Sequence, residues 1–235
     1  MPLLQICHDT VDAVGIQRPV AIVTGMDQLS RQLLSLAKES LEDLSLMDWP
    51  VLVMVGGITT VPGQETYDLP VDFEHEIDDT MYAAARFQAL RGSLTPGDWA
   101  RQKQNMPDIG QYRFRVFGNP LKLHVLPVPQ LAENLVYEYK TKNRVRKSDG
   151  ITLAFTYTED QDVSLVHEEL VKKGLKWRLR RAKGLDYTEE FDEYEISRNS
   201  RLAQSFAFGS MPVAVRSPWD GAPLTDGYVP EVGFG

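Results

Sequence analysis

The four histidines are the first side chains to examine for acid–base or metal chemistry. They are scattered through the sequence, at positions 8, 75, 124 and 167. His167-Glu168-Glu169 begins like the helix of a zinc protease, which needs a second histidine one helical turn later, on the same face. That position is Val171, so the zinc motif is incomplete. His124 lies in an alternating strand pattern, for which a structural role is expected.

Motifs for nucleophilic and phosphate chemistry are missing from the sequence. It contains no GxxxxGK[ST] loop to cradle phosphates and no GxSxG nucleophile elbow. Cys7 is the only cysteine, which excludes an intrachain disulfide and a thiolate metal cluster. The sequence therefore predicts no catalytic residue, no metal site and no cofactor.

Acidic side chains are dense between Val71 and Asp79. This segment carries Asp72, Glu74, Glu76, Asp78 and Asp79. It lacks the alternating ligands and central glycine of a calcium loop, so a solvated acidic turn is expected. Glycosidases use two carboxylates, but any acidic chain offers such pairs, and a pair alone is no motif.

One strong charge cluster precedes an acidic helix start. The basic residues are Lys172, Lys173, Lys176 and Arg180, and the acidic residues are Glu189, Glu190 and Glu193. The basic helix face is either simply solvated or pairs with the acidic residues of another copy. Pairing between copies would suit a ring whose head-to-tail contacts close.

Composition and charge restrict the class of protein. The 235 residues allow one core, or a core and a smaller lobe, and no apolar run approaches the ~20 residues of a membrane span. No signal peptide is recognisable, so folding in a cytosol is expected. The net charge of -8 disfavours general binding to nucleic acid. It is compatible with an acidic channel wall along which DNA slides.

Helical signals lie at both ends of the chain. We predict a helix over Leu3–Val14 that stops at Gly15, and a second of roughly 20 residues capped at Thr24 and ended by Trp49-Pro50. A short helix should begin with Thr95 as its cap. A further helix should be capped by Asp160 or Asp162, and a last one should span about Thr188 to Phe206. The predicted inner stripe of the fourth helix is Val171, Leu175, Leu179, Ala182 and Leu185.

Strand signals occupy the middle of the chain. Period-two alternation from Tyr112 to Lys140 predicts a three-stranded antiparallel meander with a tight turn at Gly118-Asn119. We also predict two strand pieces around a bend at Gly56-Gly57 and a strand over Thr66–Leu69. Thr80–Ala85 fits either a strand or a short helix.

The segment from Met211 to Gly235 differs in character, being rich in Gly and Pro but carrying large aromatic residues. The aromatic side chains of interest are Trp219, Tyr228 and Phe234. A solvating tail is usually poor in aromatics. Two interpretations remain: a disordered terminus, or a segment that becomes ordered along a neighbouring subunit.

Taken in order, several short motifs resemble the head-to-tail adaptor (tail accessory, head-completion) proteins of short-tailed phages and related prophages. They are Asp48–Leu52, Gly63–Pro70 with Asp72-Phe73, Leu94–Trp99, Arg113–Val116, Pro127-Val128-Pro129, Tyr137-Glu138-Tyr139, Asp160-Gln161-Asp162, and above all Gly174–Arg178 with Gly184–Tyr187. Nearly the whole chain is covered, except the tail after Phe208.

The resemblance implies an α+β fold, an antiparallel helical bundle with an inserted β-rich domain and an extended C-terminal tail. Its parts would be N-terminal helices (1–50), a β-rich domain (51–158), C-terminal helices (159–207) and the tail (208–235).

The resemblance also implies a virion structural protein, not an enzyme, assembled in the host bacterial cytoplasm. The chain would form a ring, twelvefold by analogy, that docks on the portal protein after DNA packaging. The ring would extend the DNA channel without sequence-specific binding and receive the tail nozzle or tube. By the same analogy, Trp219, Tyr228 and Phe234 would contact the portal or a neighbour.

Two other functions remain open at this point. One is a cell-wall glycan hydrolase of a phage tail, which glycan hydrolysis by the purified protein would reveal. The other is a carbohydrate- or receptor-binding β module, whose expected sign, aromatic residues on exposed strand faces, is not separable in sequence from core aromatics.

Overall fold

The computed structural model describes residues 1–86, 88–104 and 111–209, with side chains as far as residue 205. This part of the chain has an α+β fold of five α-helices and antiparallel sheets, as expected. The helices are α1 (Leu3–Val14), α2 (Gln28–Ser45), α3 (Pro96–Gln104), α4 (Glu168–Ala182) and α5 (Thr188–Gly209). None of the helices in these residues is both long and apolar enough to cross a bilayer.

Local signals set the bounds of the first two helices. Helix α1 ends as predicted, with Gly15 in the left-handed conformation at φ 76°. The predicted cap of α2 at Thr24 is wrong. Asp27 directly precedes the first helical residue, and its carboxylate accepts the N–H of Ser30 at 2.9 Å. The helix stops at Ser45, short of the predicted end.

Helix α4 is central in the helical part of the protein, where it packs against α1, α2 and α5. At its contact with α2, a Cβ on Gly174 would lie 2.2 Å from Oγ of Ser40, so the two helices meet where only glycine fits. The predicted stripe is fully buried at three positions, Val171, Leu175 and Leu179. The remaining two positions of the stripe are exposed, because α4 ends at Ala182 and Leu185 lies in the following turn.

The predicted cap of α4 at Asp160 or Asp162 is wrong, since the helix begins only at Glu168. Both carboxylates instead hold loops. Asp162 is buried and accepts the N–H of Thr158 at 2.7 Å. Asp160 accepts the N–H of Val23 at 2.7 Å, which fastens the loop before α2 to the loop of residues 155–162.

The described residues contain eleven strands in three sheets. The strands are β1 (Val53–Thr59), β2 (Thr66–Asp68), β3 (Phe73–Glu76), β4 (Tyr82–Ala83), β5 (Gln88–Ala89), β6 (Arg113–Phe117), β7 (Lys122–Leu126), β8 (Asn134–Thr141), β9 (Val145–Arg146), β10 (Leu153–Ala154) and β11 (Val163–Ser164). One sheet has the order β1-β8-β4-β5, with β3 also paired to β8. The others are β2-β7-β6 and β10-β9-β11.

The three strands between Tyr112 and Lys140 exist, but they do not form a meander. β6 and β7 pair as a hairpin, with Phe117 opposite Lys122, whereas β8 leaves that sheet and pairs with β1. The connection from β7 to β8, residues 127–133, contains two prolines and is too long for a tight hairpin. The hairpin turn also differs from the prediction: residues 118–121 form it, and the positive φ belongs to Gly118 at 107°.

Strand β1 is continuous, so the predicted bend at Gly56-Gly57 is wrong. Gly56 faces Tyr137 across the β1–β8 pair, and a Cβ on Gly56 would lie 2.6 Å from the tyrosine ring. The glycine therefore admits a large aromatic ring instead of breaking the strand.

The acidic segment is partly a strand. Phe73–Glu76 pairs with β8, so the predicted solvated turn is wrong over these residues. The ambiguity at Thr80–Ala85 is resolved as strand, by β4. The start of α3 is as predicted, with Thr95 Oγ1 accepting the N–H of Asp98 at 3.2 Å.

The described residues form two hydrophobic cores. The first is formed by the four long helices, together with Val145 and Tyr157 from around the small third sheet. The second lies between the strands of the other two sheets. The buried ammonium of Lys140, on β8, lies 3.2 Å from the carboxylate of Asp48, which follows α2. This ion pair joins the two parts. The bounds 1–50, 51–158, 159–207 and 208–235 stay predictions.

Candidate assembly surface

The predicted charge cluster lies on two consecutive helices, α4 and α5, which the chain reverses to connect. Gly184 makes the turn with φ 71°, and Asp186 accepts the N–H of Thr188 at 3.1 Å as α5 begins. The acidic residues of the cluster occupy the first two turns of α5, where the helix dipole favours them. Two of them, Glu190 and Glu193, face basic residues of α4.

The structure brings the basic and acidic residues together within one chain. Lys173 lies 2.9 Å from Glu193, while Glu190 lies 3.5 Å from Lys176 and 3.1 Å from Arg180. The hydrogen bond from Lys173 holds the pKa of the Glu193 carboxyl below its usual value. Each pair is partly exposed and contributes about 0–1 kcal/mol. The pairs align α5 on α4.

Two residues of the predicted cluster, Lys172 and Glu189, take no part in these ion pairs between α4 and α5. Lys172 points to α1, where its ammonium lies 2.6 Å from Asp9 and lowers the pKa of that carboxyl. Glu189 is exposed and makes no ion pair with the described residues. Pairing of the cluster between copies stays a prediction.

Arg178 is a buried charged residue that the sequence pattern did not predict. It is 4% exposed, and its guanidinium lies 3.3 Å from Glu39 and 3.1 Å from Asp43, both on α2. It also donates to the carbonyl of Gly174 at 3.1 Å. Its position seven residues after the buried Val171, on the same helix face, is the signal that could have found it.

Tyr194 on α5 completes the network around Arg178. Its hydroxyl donates to Asp43 at 2.7 Å, and burial together with that hydrogen bond raises the pKa of the phenol. The guanidinium of Arg178 lies over the ring of Trp177, 4.3 Å from the centroid. Three helices are thus fixed to one another by a buried polar cluster.

An aromatic group lies beside the α4–α5 turn. Phe191 meets Trp177 edge-on with the ring centroids 5.1 Å apart, and Tyr187 lies 6.2 Å from the same ring. Phe191 and Tyr187 are each 37% exposed, and Leu185 is 45% exposed. Aromatic and arginine side chains of this kind are enriched at protein interfaces.

The histidine with the most neighbours is His124, and its geometry does not support a relay. The Nδ1 atom lies 3.2 Å from Oγ1 of Thr66 and 3.5 Å from the carboxylate of Glu65. A nucleophile–base–carboxylate relay needs the two partners on opposite ring nitrogens. The ring instead stacks on Phe117 at 3.9 Å, and burial lowers the pKa of His124.

In the described ranges, no group of three or more His, Cys, Asp or Glu side chains is arranged to hold a metal ion. His167 contacts the ring of Trp49 edge-on, with centroids 6.0 Å apart. This contact belongs to the packing of the helical part. The predicted tail contacts Trp219, Tyr228 and Phe234 lie outside the described residues.

Comparison with known proteins gives one family. The model of a family described as SU10 adaptor protein matches residues 10–223. No curated protein matches the chain. The matched range includes both helices of the charge cluster and Trp219, and it ends before Tyr228 and Phe234.

Proposed function

We propose that this chain, which belongs to the SU10 adaptor protein family, forms a ring that docks on the portal of a phage head and receives the next tail component. Membership of the family makes the chain a phage adaptor with a structural role in the virion. The match over residues 10–223 is the observation that carries the proposal. The ring, the portal and the nozzle or tube are the parts that remain to be tested.

We propose the arrangement expected from the resemblance: a helical bundle, an inserted β-rich domain and a C-terminal tail that reaches a partner. The internal ion pairs of α4 and α5 support a rigid helical part that is complete in one chain. Such a part suits a subunit that folds first and assembles later. Assembly would follow DNA packaging, in the cytoplasm of the host.

The ring would be twelvefold, with DNA passing through it without sequence-specific contacts. The net charge of -8 supports a channel through which DNA passes without being bound, because an acidic wall repels the DNA phosphates. Many copies bound at once would give strong attachment from individually weak contacts.

Contacts with the portal or with neighbours would come from the aromatic residues of the tail and from charges on α4 and α5. Trp219, Tyr228 and Phe234 are the proposed anchors, since large aromatic residues dominate interface energies. Between copies, Glu189 is the cluster residue best placed to pair, because it is exposed and lacks an ion pair with the described residues. The basic residues would have to exchange their present partners.

Electron microscopy of the purified chain mixed with the purified portal protein of the same virus tests the proposal. We expect rings stacked coaxially on the portal, with one chain per portal subunit. Chains that stay apart from the portal at every concentration would overturn it. Hydrolysis of cell-wall glycan by the same preparation would favour the phage-tail hydrolase instead.

A further inference from the structure

Strand β1 lies at the edge of its sheet, and its outer side has no partner strand among the described residues. Thr60 donates to the carbonyl of Glu133 at 2.8 Å, and the same register continues from Thr59 opposite Asn134 through the whole of β1. Backbone groups alternate in direction along an antiparallel pair. The residues whose backbone groups therefore point to the free edge are Val53, Val55, Gly57 and Thr59.

The opposite strand confirms this alternation. Asn134 and Glu138 of β8, opposite Thr59 and Val55, direct their carbonyls to the far side of the strand. There they accept the N–H of Ala84 at 2.9 Å and of Ile77 at 3.0 Å. The N–H of Val53 already donates to the carbonyl of Pro50. Three N–H groups, those of Val55, Gly57 and Thr59, and four C=O groups of β1 are thus available in a row.

This edge has none of the usual protection against pairing. Its seven residues, VMVGGIT, include no charge and no proline, and Val55 is 71% exposed. Free edges in soluble proteins are normally short, charged, bulged or interrupted by proline. A long, neutral, aliphatic edge indicates a strand that another strand covers.

The later turns of α5 pass the start of α4, which is in contact with the segment that leads into this edge. Arg201, near the end of α5, lies 2.7 Å from Glu169 at the start of α4. His167, just before that helix, contacts Trp49, and β1 begins at Val53 soon afterwards. The seven residues 210–216 could extend over roughly 25 Å, which is the distance within which the edge of an adjacent subunit has to lie.

We propose that the outer edge of β1 is the docking site for residues 212–216 of a neighbouring copy, which add to the sheet as a strand. These residues read Pro212-Val213-Ala214-Val215-Arg216, with two β-branched residues at period two. Pro212 and Pro218 bracket the segment and limit the pairing to its length, because proline offers no N–H. Backbone hydrogen bonds supply the affinity in strand addition.

A segment of the neighbouring copy is the occupant that fits the symmetry of a ring, so this inference rests on the proposed function. Pairing of β1 with β1 of a second copy would use the same edge on both chains. It would close a two-fold dimer in which no free edge is left for a third copy. A segment donated by each copy to the next repeats around a ring. Every interface would then contain one added strand, in addition to whatever Trp219 and the later aromatic residues contact.

Disulfide trapping in the ring tests the proposal. One cysteine replaces Val55, and a second replaces Val213, Ala214 or Val215 in three separate variants. The native Cys7 is buried, which raises the pKa of its thiol to about 12, so the unsubstituted chain is the control. After mixing with the portal, mild oxidation should link most chains into a ladder of multimers in at least one variant.

The other outcomes overturn the proposal in distinguishable ways. Rings seen by electron microscopy without disulfides, or with disulfides only inside single chains, refute the β1 site and leave the adaptor function standing. Absence of any ring and of any linked chains refutes both.

A substitution on the edge provides a second, independent measurement. Val55→Pro removes an outward N–H without touching the bonds to β8, and its ring obstructs the incoming strand. We expect it to weaken ring formation fivefold or more, on the order of one lost hydrogen bond per interface, while Val55→Thr changes it less than about twofold. Circular dichroism shows whether both variants fold. Equal ring formation by two folded variants would contradict the proposal.

Discussion

Arg178 and Asp43 form an ion pair inside the helical part of the protein, with 3.1 Å between Nη2 and Oδ2. Tyr194 donates to the same carboxylate oxygen at 2.7 Å, so one acid on α2 receives a cation from α4 and a hydroxyl from α5. A buried charge is costly unless it is paired. The network therefore specifies how the three helices dock.

Replacing Arg178 by Ala should destabilise the protein by about 3 kcal/mol, because two acids lose their cation and the packing on Trp177 is lost. Urea unfolding followed by circular dichroism measures this loss. Arg181→Ala is the control: that guanidinium is half exposed, and its distance to Glu39 is 3.8 Å. Its loss should stay below about 0.5 kcal/mol. Equal losses for the two variants would refute a special role for the buried arginine.

Gly174→Ala should destabilise the protein by about 1–3 kcal/mol despite the better helix propensity of alanine. The added methyl would meet Oγ of Ser40, and it also approaches Arg178 and Tyr194 within 3.3 Å. Thermal unfolding measures the change. Adding Ser40→Ala removes the atom closest to the new methyl group and should recover part of the lost stability. If the double variant instead loses the sum of the two single losses, the close contact between Gly174 and Ser40 is not the cause of the destabilisation.

Glu190→Gln should cost more stability than Glu189→Gln. Glu190 pairs with both Lys176 and Arg180, so we expect a loss of about 0.5–1 kcal/mol, whereas loss of the unpaired Glu189 charge should cost almost nothing. The difference should shrink in about 1 M salt, which screens partly exposed charges. A difference that persists in high salt would point to packing instead of charge.

The Lys173–Glu193 pair should make a small part of the stability pH-dependent. The folded pKa of Glu193 lies below its ordinary value of 4.5, so the pair stabilises the folded state fully above that pH. The stabilisation is lost as the pH falls through the folded pKa. Unfolding of wild type and Glu193→Gln, compared at about pH 6 and about pH 3, should show a gap of less than about 1 kcal/mol that narrows in acid. If the stability difference between the two proteins widened in acid, the pKa of Glu193 could not be lowered in the folded state.

Substituting the tail aromatics should separate portal attachment from folding. The combined variant Trp219→Ala, Tyr228→Ala, Phe234→Ala is expected to fold normally and to lose at least about tenfold in portal affinity, as anchors of this type carry most binding energy. Co-sedimentation with the portal measures the loss. The matched control, Trp219→Phe, Tyr228→Phe, Phe234→Tyr, keeps aromatic anchors and should retain most of the affinity. Unchanged attachment of the alanine variant would remove these residues from the proposed interface.

The sequence by itself determined several features that depend on short-range interactions, although the predicted caps of α2 and α4 were wrong. Gly15 ends α1 because only the residue after the last turn needs positive φ, and Thr95 begins α3 because its hydroxyl reaches the amide of Asp98. The ordered motifs also sufficed to indicate the adaptor family that the comparison then showed.

Only the tertiary structure decided which elements meet. Alternation predicted that β8 is a strand, but a period of two does not name the partner, and the long proline-containing connection after β7 let β8 pair with β1, far away in sequence. The sequence predicted a bend at Gly56, whereas in the structure this glycine lets a continuous strand pass under the ring of Tyr137. Likewise, the row of lysines and arginines on α4 shows in the sequence that this helix face is positively charged. Which acidic residues pair with it depends on how α5 packs against α4. Helix caps and turns act within a few residues, but strand pairing and buried charge depend on segments that only the folded chain brings together.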